Sequence, residues 1–160
     1  MAKEKASVTP ALRALREHGV KFIESPYRYV ERGGTAVSAR ELGVDEHSVV
    51  KTLVMEDEAK RPFIVLMHGD REVSTKEMAR TLGVKRVSPC TPETPHRHTG
   101  YQVGGISPFG VRKAMLVYME ETIIALPRIY INGGRRGFLV GLDPRDLVRV
   151  LNPTIVNVGI

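Results

Sequence analysis

Apolar runs in this chain are short, and charged or turn-forming residues bound each one. Val49–Met55 and Phe63–Met67 are rich in β-branched and apolar residues, and the charged segment Glu56–Arg61 separates them. Two strands joined by a turn are the expected result. Phe22–Tyr29 reads as a further strand in which Pro26 marks an edge or a bulge. Met115–Met119, Arg128–Ile131 and Gly137–Leu142 predict three more strands, and Ile155–Val158 a last edge strand, while Glu120–Leu126 has no decided pattern.

Stop and start signals place the helices between these runs. Thr9-Pro10 supplies an N-cap and a first-turn proline for a helix reaching about His18 before Gly19. Thr35–Leu42 is a helix closed by Gly43. Ser74 and Glu77 form a capping-box pair for a helix to Leu82 that Gly83 ends. Asp143-Pro144 repeats the start signal for a helix to about Val150. Ser88–Thr99, with its prolines at 89, 92 and 95, is a loop or one short helix. Strands and helices alternate irregularly and no linker divides the chain. A single α/β domain over residues 1–160, a mixed sheet with helices packed around it, is the expected fold.

Composition narrows the partners more than the fold. The 160 residues carry a net charge of +6, which favours an anionic partner, with nucleic acid foremost. With only five Tyr, four Phe and no Trp, a broad base-stacking platform is disfavoured. No apolar stretch approaches the length of a bilayer span, and Met1-Ala2-Lys3-Glu4-Lys5 leads into no signal-peptide core. A cytoplasmic protein without membrane contact is expected. Cys90 is the single cysteine, so no internal disulfide can form.

Several familiar chemistries are missing from the sequence. There is no Gly-x-x-x-x-Gly-Lys-Ser/Thr loop, no Gly-x-Gly-x-x-Gly fingerprint and no Gly-x-Ser-x-Gly elbow. His96-Arg97-His98 has no Cys or carboxylate spaced as zinc ligands require and reads as a solvated loop. His68-Gly69-Asp70 reads as a turn, and Cys90 as a bystander without a nearby base.

Three segments stand out. Gly100–Gly110 packs four glycines, one proline and one serine into eleven residues, a composition that can aim bare N–H groups at an anionic or carbonyl oxygen. Lys51 interrupts an apolar strand and shares a face with Val49 and Leu53. It either guards a sheet edge or points its charge into a cleft. Gly133-Gly134-Arg135-Arg136-Gly137 joins two apolar strands as a tight hairpin whose arginines are either solvated or set beside a polyanion.

Taken together, Lys51-Thr52-Leu53, the Gly104-Gly105-Ile106-Ser107-Pro108 loop and Tyr130–Gly137 resemble the YbaK/EbsC proteins, members of the prolyl-tRNA synthetase editing-domain superfamily. The likeness spans nearly the whole chain, and the glycine loop is its most specific part. It implies a mostly antiparallel, curved and barrel-like sheet with surrounding helices. It implies a trans-editing hydrolase that cleaves the aminoacyl ester of a mischarged tRNA, above all Cys-tRNA(Pro). By the same likeness Lys51 and the loop residues Gly104, Gly105, Ile106, Ser107 and Pro108 are the catalytic set. Tyr27, Thr52, Asn132, Gly133, Gly134, Arg135 and Arg136 are the substrate-binding set. The acceptor end of the tRNA and prolyl-tRNA synthetase are the implied partners, with no metal and no cofactor.

The family relies on the substrate's own thiol as nucleophile, so a Ser/His/Asp set is not expected. Backbone N–H groups of Gly104–Ser107 would stabilise the oxyanion, and Lys51 would hold the terminal adenosine or its phosphate. Departures from the family pattern fall near the expected pocket: Tyr29 replaces a common His, Asn132 a common Ser and Leu139 an Asp, and Arg28–Thr35 is slightly short. Deacylation of alanyl or seryl tRNA, or a non-catalytic tRNA- or synthetase-binding module, are the alternatives.

Overall fold

The computed structural model describes residues 8–160, so the Met1–Lys5 segment lies outside the described residues. Helix α1 (Pro10–Glu17) starts where Thr9 caps it: the Thr9 hydroxyl accepts the Leu12 N–H at 3.1 Å. That hydroxyl also donates to the Gly133 carbonyl at 2.6 Å, which ties the helix start to the arginine hairpin 124 residues away. Helices α2 (Gly34–Leu42) and α3 (Thr75–Leu82) end on Gly43 and Gly83 as their sequences predict, and the Ser74 hydroxyl accepts the Glu77 N–H at 3.2 Å. Glu77 itself reaches forward to Arg80 rather than back to Ser74, so the capping box is half formed. Helix α4 (Glu93–Thr99) fills the proline-rich segment, and α5 (Pro144–Leu151) starts at the expected Asp143 cap.

The strands are β1 (Ile23–Pro26), β2 (Val49–Asp57), β3 (Pro62–His68), β4 (Val87–Pro89), β5 (Val117–Glu120), β6 (Ile129–Arg135), β7 (Phe138–Leu142) and β8 (Thr154–Val156). They form one sheet in the order β1-β7-β6-β2-β3-β5-β8, with β4 beside β2. Pairs β1–β7, β6–β7, β2–β3 and β2–β4 are antiparallel; β2–β6, β3–β5 and β5–β8 are parallel. The sheet is mixed with an antiparallel majority, as expected, and it stays open. Its terminal strands are four and three residues long, and Pro26 has no N–H to give. They offer too few groups to join the ends into a closed barrel.

Sequence and structure differ at several boundaries. β1 stops at Pro26, although the Tyr27 N–H still reaches the Gly137 carbonyl at 2.9 Å. β4 was expected as loop, and Glu121–Ala125 is a short 3-10 helix. β6 continues past Ile131 through Gly133-Gly134, and the turn proper is Arg136-Gly137. Hydrophobic patterning does not show this last extension, because the added residues have no apolar side chains.

Among the described residues, three apolar clusters pack on the sheet. The largest joins α1 and α5 (Leu12, Leu15, Leu147) to Val50, Val54, Ile131, Val140, Tyr101 and Phe109. A second sits under α3, and a third gathers Ala39, Val49 and Leu139 beneath α2.

Strand β2 is the key to the site. One edge pairs with β3 from Val50↔His68 to Glu56↔Pro62. The other is divided: Val49 and Val50 pair with β6, and Met55–Asp57 pair with β4. β6 carries a register irregularity between Asn132 and Arg135, the kind of bulge that bends a strand away from its neighbour. The two strands therefore part just after Val50 and Ile131, and the next residues on either side of the gap are Lys51 and Asn132.

Candidate active site

Lys51 lies on an interior strand, so the edge-guarding reading does not hold. Its neighbours on the same face, Val49 and Leu53, pack into the third and second clusters, and Lys51 emerges between them. Its side chain is 20% exposed, and its Nζ lies 3.8 Å from Oε1 of the well-exposed Glu72. Thr52 faces the opposite way, towards the largest cluster, where its Oγ1 is buried without a hydrogen-bond partner among the described residues. An unmet hydroxyl costs desolvation energy, and it adjoins the stretch of β2 where ladder bonds are given up.

The glycine loop is held from both ends. The Tyr101 hydroxyl donates to the Phe109 carbonyl at 2.6 Å, and the Ser107 hydroxyl accepts the Phe109 N–H at 3.1 Å. Ser107 and Pro108 are buried and Ile106 packs partly on the core, so these side chains shape the loop from below. The Gly105 N–H is spent on the Gln102 carbonyl at 2.8 Å, which removes it from the expected oxyanion donors. The N–H groups of Gly104, Ile106 and Ser107 have no acceptor among the described residues.

The hairpin grips the loop tip. Asn132 Nδ2 donates to the Gly104 carbonyl at 3.4 Å, while its Oδ1 accepts the N–H groups of Gly134 and Arg135 at 2.7 and 3.1 Å. Arg136 Nε donates to the Val103 carbonyl at 2.9 Å, and its guanidinium lies 5.4 Å from the centre of the Tyr29 ring. A methyl group on Gly104 would stand 2.7 Å from the Tyr29 hydroxyl, at a backbone φ of +92° that side chains rarely accept. One on Gly105 would meet the backbone of Arg135 and Arg136 at 2.7 to 2.8 Å. Gly133 and Gly134 serve packing: added methyls would strike the Phe138 ring and crowd Tyr101 and Thr9.

Of the predicted residues, Asn132, Arg135 and Arg136 therefore meet the loop at Val103–Gly105, and Tyr29, not Tyr27, stands against Gly104. Tyr27 packs into the third cluster, and burial foremost raises its phenol pKa. In the sequence Tyr29 stands out only as a departure from the family pattern. The two tyrosines alternate on one segment, and nothing in the sequence says which of them meets Gly104.

Two other chemistries recede. Burial, followed by a hydrogen bond to Glu56, pushes the Cys90 thiol up to about 12, so the reactive thiolate is scarce near neutrality. His47, His68 and Asp70 do cluster, through a contact with His47 that the sequence does not reveal. His68 is 1% exposed. Its Nδ1 donates to the His47 carbonyl and its Nε2 accepts from the Thr122 hydroxyl, both at 2.7 Å, so both nitrogens are already committed. Its ring stacks on that of His47 at 3.7 Å, and His47 Nδ1 meets Asp70 Oδ1 at 2.8 Å.

Desolvation by burial lowers the His68 pKa below its unfolded value. The unfolded chain then binds the proton more readily, so His68 favours the fold fully above the unfolded pKa of about 6.5. That contribution is lost as the pH falls through the lower folded pKa. The urea midpoint should drop between pH 7.5 and pH 5, and by less in H68Q. An equal drop in both proteins would assign the acid sensitivity elsewhere.

Comparison with known proteins places this geometry. The model of the aminoacyl-tRNA editing domain matches residues 33–150. An Enterococcus faecalis protein named "Putative Cys-tRNA(Pro)/Cys-tRNA(Cys) deacylase EbsC" is 30% identical over 154 residues, covering 95% of this chain and 94% of that one. The proline–tRNA ligase of Limosilactobacillus fermentum is 23% identical over 105 residues, 63% of this chain but 18% of the ligase. The fold matches the crystal structure described as "a putative trans-editing enzyme for prolyl tRNA synthetase" with a TM-score of 0.81 and 22% identity, over 96% of this chain and 99% of that one. The chain belongs to the aminoacyl-tRNA editing domain family.

Proposed function

We propose that this protein hydrolyses the ester of mischarged tRNA and that Cys-tRNA(Pro) is its preferred substrate. The observation that carries the reading is the glycine loop at the parting of β2 and β6, with the N–H groups of Gly104, Ile106 and Ser107 unspent. Preorganised donors of this kind stabilise the oxyanion of a tetrahedral intermediate without reorganisation. Lys51, across the gap from Asn132, meets the ribose or phosphate of the terminal adenosine. The choice of cysteine follows the Enterococcus relative, which is named as a Cys-tRNA(Pro)/Cys-tRNA(Cys) deacylase.

The chemistry then needs no protein nucleophile. The substrate's thiol sulfur attacks its own carbonyl carbon, the carbon–oxygen bond to the ribose breaks and the thiol proton ends on the ribose oxygen; water then opens the resulting four-membered thiolactone at its carbon–sulfur bond to give free cysteine. Prolyl-tRNA synthetase, whose editing domain shares the family, is the partner that would present such a tRNA.

Single-turnover hydrolysis of Cys-tRNA(Pro) and Ser-tRNA(Pro) tests the nucleophile, since the two amino acids differ by sulfur against oxygen. The cysteinyl ester should be cleaved much faster. Equal rates would favour the alternative of a general deacylase for small amino acids. C90S should keep kcat/KM within about threefold of wild type, because the half-buried Cys90 thiol stays protonated. A loss of about a hundredfold would make Cys90 a participant.

A further inference from the structure

Behind the arginine hairpin lies an open cavity of about 490 Å³ that the deacylation chemistry leaves unused. Arg112, Arg135 and Arg136 line it together with the glycines at 100, 110 and 134, and no Asp or Glu is among its described lining residues. We infer that this cavity is a phosphodiester site for the single-stranded 3′ end of the RNA whose ester lies at the glycine loop; the inference rests on the reading proposed above.

Two of the arginines are held in place before any ligand arrives. Arg136 is fixed by its bond to the Val103 carbonyl and by the Tyr29 ring, and the Arg135 guanidinium lies 4.3 Å from the centre of the Phe138 ring. The Arg112 guanidinium lies over Gly100, its Nη2 3.4 Å from where a Cβ would stand, and its backbone N–H is bound to the Thr99 carbonyl at 3.3 Å. Arg112 has no ion-pair partner among the described residues. Guanidinium forks suit phosphate oxygens, and glycine walls let a backbone phosphate come close.

Position selects the kind of phosphate. The backbone of Arg135 and Arg136, at the hairpin turn, is the surface on which Gly105 rests, and both arginines also line the cavity, so that turn alone stands between the loop tip and the cavity. A strand whose terminal ribose sits at Gly104 crosses that turn and brings its next phosphates to Arg112. A free phosphate or an acidic protein has no reason to prefer this place beside the loop.

The test is fluorescence anisotropy with an uncharged RNA minihelix ending in single-stranded CCA. R112A should weaken binding about tenfold, the loss of one charge-assisted phosphate contact. The log–log salt slope should shrink by about 0.7. K76A removes the same charge from the exposed surface of helix α3, which lines no part of the cavity, and should change affinity less than twofold, by roughly its long-range charge alone. R112K should restore the salt slope but only part of the affinity, because it keeps the charge without the fork. Circular dichroism checks that each variant is folded.

Equal losses in R112A and K76A would overturn the site, as would a wild-type protein that ignores the minihelix. Undiminished binding to a blunt-ended hairpin, or displacement of the minihelix by millimolar inorganic phosphate at constant ionic strength, would overturn the single-strand assignment. No ester is cleaved in this measurement, so its failure leaves hydrolysis to be judged on charged tRNA, and the converse.

Discussion

Alanine at position 105 is expected to lower kcat/KM on Cys-tRNA(Pro) by about a hundredfold, the size of effect that ångström-scale misplacement of catalytic groups produces. The added methyl would face the Cα and carbonyl carbon of Arg135 and the nitrogen of Arg136, all between 2.7 and 2.8 Å away. None of these is the free end of a flexible side chain. The loop must lift off the hairpin, which displaces the N–H groups of Gly104 and Ile106 and strains the Asn132 bond to the Gly104 carbonyl. Overpacking of this kind also costs about 1–3 kcal/mol of stability, so a urea titration must accompany the kinetics. A G105A protein that is folded and fully active would show that the loop has no catalytic part.

Removing the charge at position 51 is the second large effect. K51M keeps the aliphatic stem that packs between two apolar clusters and deletes the ammonium. It should lower kcat/KM by about ten- to a hundredfold, the loss of one charge-assisted hydrogen bond to ribose or phosphate. Glu72 is the competing partner in the free protein. At 3.8 Å and 81% exposed it contributes little to stability, and E72A should fold and act like wild type. Full activity in folded K51M at low and moderate salt would return Lys51 to a purely structural part.

The sequence made much of this legible, because local chemistry governs the elements concerned. Thr9-Pro10, Ser74 and Asp143 begin helices for reasons contained within four residues, and Gly43 and Gly83 end them likewise. The alternation in Val49–Met55 placed Lys51 correctly with Val49 and Leu53. The division of β2 between β6 and β4 was not legible, because pairing partners are chosen by tertiary packing. That division also settles whether Lys51 lies at an outer edge.

The site was legible as a set of motifs, but not in its internal assignments. That the Gly105 N–H is already spent depends on a turn closing onto Gln102. That Tyr29 rather than Tyr27 meets Gly104 depends on where β1 stops, a boundary set by Pro26 and by the Gly137 carbonyl. Arg112 lies just beyond the motif that carries the resemblance, and only the folded chain sets it beside Arg135 and Arg136. His47 and Asp70, 23 residues apart, meet through the stacking of His47 on buried His68.

The measurement closest to the central claim is the release of labelled cysteine from Cys-tRNA(Pro) by the purified wild-type protein, followed beside a buffer control and beside Ala-tRNA(Pro). Cysteine should be lost many times faster than in buffer and faster than alanine is lost from its tRNA. Release of cysteine at the buffer rate, by a protein shown to be folded, would contradict the assignment of this loop and lysine to ester hydrolysis.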